Sequence, residues 1–291
     1  MKYKVLQLIF LSFLSVQMAQ AQEWECDLLN KGVDFVQHEK FDSALYVWKK
    51  VVREYPDTSN CYGRSFNNIP VVYAQIGNIE KAKAWYRKIL DSELNDLDEG
   101  NSIMAPYANY KHNACLRMSQ LLKEEGELEE SFEYIELAEH EFPYQTFSAT
   151  SFEKRAVLIT YYKAELWKLK GDEKEALFTM LEKILDNDVF FRKPDAASFT
   201  NVDFYAGLIE DIIPMIEEHY GFAAFEDKLK DAIRQVKVKR TKVGDDNSKA
   251  KLATFIFEGR SFNIGSSNKK FNKKKFKQKL LNNRLFEEIK M

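Results

Sequence analysis

Four histidines (His38, His112, His140, His219) and three cysteines (Cys26, Cys61, Cys115) are the side chains of this 291-residue chain best suited to hold a metal or act as nucleophiles. Zinc sites draw ligands from short cysteine or histidine spacings, and here no two cysteines and no two histidines stand that close in sequence. His140 lies between Glu139 and Glu141, but this trio would ligate a metal only if the fold recruited further groups, so a solvent-facing position is the expectation. Glu129 and Glu130 occupy adjacent helical positions and face different directions, which argues against a general acid–base pair. The chain carries no glycine-rich dinucleotide fingerprint, phosphate-binding loop, HExxH or GxSxG motif. No catalytic residue, metal or cofactor is expected from these patterns. An enzyme remains a rival reading, with a site built from the loops Ser92–Ala105 and Asn187–Thr200.

A second group of residues is suited to binding. Lys273, Lys274 and Lys275 form a basic run flanked by Phe271 and Phe276, and residues 269–279 hold seven lysines. Phosphates favour lysines and bases stack on aromatics, so the run superficially suits nucleic acid. The charge of the whole chain offers two other partners. Residues 1–227 carry 24 Lys/Arg and 39 Asp/Glu, whereas residues 228–291 carry 19 and 6. The basic end can therefore dock on its own acidic chain or on an anionic surface. Internal docking is the expectation, because Leu280, Leu281 and Phe286 extend an apolar stripe that electrostatic attraction alone does not need. Upstream, Tyr107, Tyr110 and His112 follow the polar segment Ser92–Ala105. Two roles stay open for them, lining a peptide-recognition groove or capping the preceding helices.

Helices must position these groups. Residues 26–56 read as two short amphipathic helices, one with Leu28, Gly32 and Phe35 at helical spacings, the other with Ala44, Trp48 and Val51 on one face. Small residues at Gly32 and Ala44 allow close approach, Phe35 and Trp48 supply bulk, and Pro56 stops the second helix. The unit recurs with Tyr73, Gly77, Ala82, Tyr86 and Ile89, then with Ser119, Leu122, Gly126, Ser131, Ile135, Ala138 and Pro143. A fourth copy uses Ala164, Trp167, Gly171, Ala176, Met180 and Lys183. Successive markers Ala44, Ala82, Ser131 and Ala176 are separated by 38, 49 and 45 residues. Pro70 falls inside the first helix of copy two and predicts a kink or a later start near Asn68, and Pro214 predicts a kink further on.

The unit resembles the tetratricopeptide repeat, the likeness resting on Gly32, Phe35, Ala44, Trp48 and Pro56. Lys31 departs from it at a usual leucine site, and Glu39 at a turn usually made by glycine. The resemblance covers residues 24–185. It implies a right-handed array of antiparallel helical pairs whose stacked units expose a groove for protein or peptide. In such an array Cys26 and Cys61 begin the first helices of adjacent repeats and share an edge, where they could form a disulfide; Cys115 packs in the third pair.

The remaining boundaries follow from composition. Lys2 and Lys4 precede the apolar run Val5–Val16, and Ala19-Gln20-Ala21 supplies a small-x-small end, so residues 1–21 are expected to be a signal peptide. No later apolar stretch is long enough to span a membrane. Export to the periplasm or beyond argues against nucleic acid as a partner. The array occupies 22–186 and a divergent helical extension 187–236, where Val202–Tyr220 and Phe222–Val236 are expected to form a fifth pair. Alternation in Val236–Arg240 and in residues 253–257 predicts a short β segment over 237–264. A basic terminal helix is expected within 265–291. The expected fold is mainly α, an antiparallel helical-pair repeat array with a short C-terminal β segment and terminal helix. The expected function is a protein- or peptide-binding scaffold of the bacterial cell envelope. Beside the envelope enzyme, a structural surface factor binding anionic glycolipid is the other rival.

Overall fold

A computed structural model describes residues 27–94, 109–146, 148–190, 204–243, 248–266 and 272–290. Residues 1–26, with the expected signal peptide and Cys26, lie outside them, as do Tyr107 and Phe271 and most of both loops proposed for an active site. The chain divides into two units, Met1–Phe152 and Glu153–Met291.

Unit one is built from helices in pairs. Its described elements are α1 (residues 27–37), α2 (Phe41–Glu54), α3 (Asn60–Gln75), α4 (Ile79–Leu90), α5 (Tyr110–Glu125) and α6 (Leu128–Glu136). The last continues as a π-helical turn, Leu137–Glu141. Each amphipathic stripe is satisfied by the next helix: α2 packs on α3, α3 on α4, α4 on α5 and α5 on α6. Ala44 and Ala82 are fully buried, with Trp48, Tyr73 and Tyr86 beside them in one core, and Phe35 packs half-buried against it. Burial pushes the Tyr86 hydroxyl up to about 12. In the third pair Ser131 stands where the other copies have alanine. Its hydroxyl donates to the Ser119 carbonyl at 2.8 Å and lies 2.9 Å from the Ser119 hydroxyl, so the small position also joins α5 to α6.

One expectation for this unit, a later start of α3, fails on local chemistry. Helix α3 does not start near Asn68; it starts at Asn60, where Ser59 accepts from the Tyr62 amide at 3.0 Å, and runs through buried Pro70. A strong N-cap thus sets the start, and packing keeps the proline inside. Lys49, beside Trp48, donates to the Tyr73 hydroxyl with its ammonium 4.9 Å from the ring centre.

Unit two combines helices with a sheet. The elements are α7 (Ala149–Leu169, which begins four residues before the division), α8 (Glu173–Phe190), α9 (Phe204–His219) and α10 (Phe222–Arg234), then β1 (Lys237–Val243), β2 (Ser248–Phe257) and β3 (Arg260–Ser266). Helices α11 (Lys273–Leu281) and α12 (Arg284–Glu288) follow. Ala164 and Ala176 are buried in one core with α9, α10, the sheet and the terminal helices, and Trp167 packs half-buried against it. The fourth helical pair therefore shares its core with the C-terminal elements. Tyr161 of α7 hydrogen-bonds Asp211 of α9, reaching over Gly207, where a Cβ would meet the hydroxyl at 2.9 Å. Like α3, α9 is continuous over its proline, here the exposed Pro214.

The sheet is antiparallel in the order β1-β2-β3, so the β segment has a third strand beyond the two that alternation indicates most clearly. Its inner face carries Ala253, Phe255 and Phe257 of β2 and Phe262 and Ile264 of β3, all buried, with Phe255 and Phe262 paired and stacked at 5.2 Å. Strand β2 packs on α10 and β3 on α8. The outer edge of β3 is closed by carboxylates of α8. Glu182 accepts from the Asn263 amide at 2.8 Å, and Asp186 accepts from the Gly265 amide at 3.3 Å. Arg260 reaches the same helix, at 2.7 Å from Glu175 and 3.2 Å from Glu182.

The basic terminal segment forms two helices, not one. Asn283, fully buried, donates to the Leu280 carbonyl at 2.6 Å and accepts from the Phe286 amide at 3.1 Å, ending α11 and capping α12. Helix α11 packs on α8 and α10 with Phe276 and Leu280 fully buried, and Leu285 and Phe286 of α12 join the same core. Lys290 adds a 3.2 Å ion pair with Glu226 of α10.

Candidate functional site

Helix α4 packs on both α3 and α5, and α3 also touches α5 directly. Close approach depends on Gly63, where a Cβ would come within 2.7 Å of the Tyr110 ring. The faces that α3 and α5 turn away from α4 consequently lie on one side. On α3 this face carries Asn60, Arg64, Asn67, Asn68, Val71 and Gln75, and on α5 Asn113, Arg117, Gln120 and Glu124, all exposed or half-buried. Residues 1–152 hold 15 Lys/Arg and 23 Asp/Glu, yet this double stripe has two arginines, six amides and one carboxylate.

The composition of the stripe suits an extended peptide. Amide side chains both donate and accept, matching both polar groups of a peptide backbone. Guanidinium groups offer two-pronged contacts to carboxylates. Arg117 already donates to Gln120 at 3.0 Å, which orients both, and Val71, 40% exposed, adds an apolar contact.

Two contacts fix α5 in place. The Nδ1 atom of His112 lies 2.9 Å from the Ala138 carbonyl and 2.8 Å from the Phe142 carbonyl. Both partners only accept, so Nδ1 carries the proton. The π-helical turn shifts the hydrogen-bond ladder, with the Phe142 amide bonded to Leu137 at 2.8 Å, and His112 takes up the Ala138 carbonyl. On the other side Lys83 of α4 donates to both oxygens of Glu125 at 3.0 and 2.8 Å and pairs with Glu80 at 2.6 Å. Hydrogen bonds from Glu125 first, then Glu80, hold the Lys83 ammonium above the usual lysine range.

The residues singled out in sequence fall in several places. Tyr110 is 1% exposed and packs on Gly63, so it supports the stripe from beneath and does not line a groove. His112 is likewise buried. Cys61 is buried and disulfide-bonded, and Cys115 is buried and outside any disulfide. Lys273, Lys274 and Lys275 are exposed at the start of α11, while Phe276 turns inward. Glu136, Glu139 and His140 bring their ligand atoms within 4.8 Å of one another, all exposed, with His140 Nε2 3.1 Å from Glu136 in an i,i+4 surface pair. Sequence reasoning passed over the amide and arginine positions of α3 and α5. The available signal was the complement of the apolar stripe, where 64, 68, 71 and 75 share a helical face free of acids.

A family model described as the tetratricopeptide repeat matches residues 64–96, which cover most of α3 and all of α4. With the adjacent helical pairs, this makes the chain tetratricopeptide-repeat-like. Among curated proteins no sequence matches. No helix among the described residues is long and apolar enough to cross a membrane.

Proposed function

We propose that this tetratricopeptide-repeat-like chain is a protein- or peptide-binding scaffold of the bacterial cell envelope, and that the α3/α5 stripe is where the partner lies. The repeat supports protein–protein interaction. The observation that carries the choice of surface is the double row of amides and arginines, with Asn67 and Asn68 on α3 and Arg117 and Gln120 on α5, in an acidic unit. The basic, apolar and small-residue order of residues 1–21 supports export, and the disulfide at Cys61 suits an oxidising compartment. In the same reading Cys26 is the partner of Cys61, as the shared edge of adjacent repeats implies. Arg117→Glu tests the binding surface: the variant should keep its helical content and lose at least tenfold in affinity for a partner recovered with the wild-type chain. Unchanged affinity would remove the stripe from the reading.

A second reading rests on Lys273, Lys274 and Lys275, which give unit two an exposed basic turn suited to an anionic surface. Sedimentation with phosphatidylglycerol vesicles, with and without Lys273→Ala, Lys274→Ala and Lys275→Ala together, decides it: salt-sensitive binding lost in the triple variant supports surface contact, and equal binding of both chains refutes it.

A further inference from the structure

The two edges of the sheet are treated differently. Every second residue of an edge strand directs its backbone N–H and C=O away from the sheet, where they can pair with another strand. On β3 those amides are taken up by Glu182 and Asp186 of α8. On β1 no strand among the described residues lies beyond the outer edge. That edge is seven residues long, Lys237–Val243, enough to template a strand of ordinary length.

Charge indicates what the edge would accept. Between Arg234 and Val243 the sequence contains no acid, and Lys237, Lys239 and Arg240 are exposed. Lys237 pairs across to Thr254 and Lys239 to Leu252 on the outer face, whereas Arg240 shares the register of Lys251 on the other face. Positive charge thus flanks the edge on both sides of the sheet. A strand added there would place alternate side chains beside each set, and carboxylates would match both.

We propose that the open edge of β1 receives an extended acidic segment of a partner protein as a fourth, antiparallel or parallel strand. The inference rests on the scaffold reading and gives it a second, separate contact in unit two. Main-chain hydrogen bonds provide the attachment, and Lys237, Lys239 and Arg240 select for acidic side chains.

The test uses the full chain and three synthetic nonapeptides: alternating Val/Glu, alternating Val/Lys, and a Val/Glu peptide of equal charge interrupted by two prolines. Fluorescence anisotropy measures binding and amide hydrogen exchange locates it. The alternating acidic peptide is expected to bind at least tenfold more tightly than either control and to slow exchange within residues 237–243. The double variant Lys237→Glu with Lys239→Glu, at exposed positions and checked by circular dichroism, is expected to lose at least tenfold. Equal binding of the proline-interrupted peptide would reduce the effect to bulk charge and overturn the proposal. So would an absence of protection on wild-type β1, a readout that needs no variant. Binding to phosphatidylglycerol vesicles that the double variant abolishes, without peptide binding, would assign the edge to lipid and also overturn it. Because Arg117→Glu alters only the α3/α5 stripe, loss of peptide binding here leaves the scaffold reading to stand or fall by its own variant.

Discussion

The indole of Trp48 occupies the space that a side chain at Gly32 would need: a Cβ there would stand 2.1 Å from Nε1. The ring is held in place, since Nε1–H donates to the Leu29 carbonyl at 3.1 Å and the side chain is 2% exposed. A rigid, buried ring cannot move aside cheaply. Gly32→Ala is therefore expected to cost about 1–3 kcal/mol by overpacking, and Trp48→Ala about 3–5 kcal/mol by leaving a cavity. Tyr46→Ala, at a 70% exposed position of the same helix, should stay within about 0.5 kcal/mol. Denaturant unfolding ranks the three, and equal losses would contradict this packing.

Glu39 closes the α1–α2 turn in a left-handed conformation, φ +57°, where the corresponding α3–α4 turn uses Gly77 at φ +77°. A residue with a Cβ is strained in that region, and glycine is not. Glu39→Gly should stabilise the chain by roughly 0.5–1 kcal/mol, the strain relieved less the extra entropy of the unfolded glycine. A loss of stability on the same scale would show that Glu39 makes a compensating contact.

Asp186 links acid pH to unit two. Burial holds its carboxyl above the ordinary value of 3.8, while Lys183 and the Gly265 amide pull the other way. The folded chain therefore keeps a proton that the unfolded chain releases, and stability falls as pH rises from about 3.8 through the raised folded value, then levels off. Asp186→Asn keeps an acceptor for Gly265 and removes the half-buried charge. It is expected to be at least as stable as wild type at pH 7 and to show a flatter stability curve on the acid side. A less stable variant with an unchanged acid slope would contradict the assignment.

Docking of the basic end is carried by apolar burial. Phe276 and Leu280 are fully buried against the helices of unit two, while Lys273, Lys274 and Lys275 point to solvent. Phe276→Ala should cost about 3–5 kcal/mol and expose α8 and α10 amides to exchange. High salt should have little effect on either, because screening acts on exposed charge. Release of α11 by salt alone would reverse this order of forces.

Much of the fold was legible because its signals are local and repeated. The small and aromatic spacing from Gly32 to Trp48 recurs in Tyr73, Ala82 and Tyr86, and periodicity of that kind survives without knowledge of tertiary contacts. Where reading failed, the deciding contact was distant in sequence. Two roles stayed open for Tyr110 because Gly63, which receives its ring, lies 47 residues earlier. Pro70 looked like a boundary because the Ser59 cap lies eleven residues upstream of it. The break at Asn283 was written in a single capping residue within a basic, helix-favouring run. The stripe on α3 and α5 has no motif of its own; it arises from two helices laid side by side by α4.

The central claim, that a partner lies along α3 and α5, is tested most directly by site-specific photocrosslinking in the native cell. A photoreactive residue replaces Val71 on the stripe or, in a second chain, the exposed Tyr46 of α2. The account predicts a discrete protein adduct from position 71, none of the same mass from position 46, and loss of the adduct when Arg117→Glu is added. No adduct at 71, or the same adduct from both positions regardless of Arg117, would contradict it.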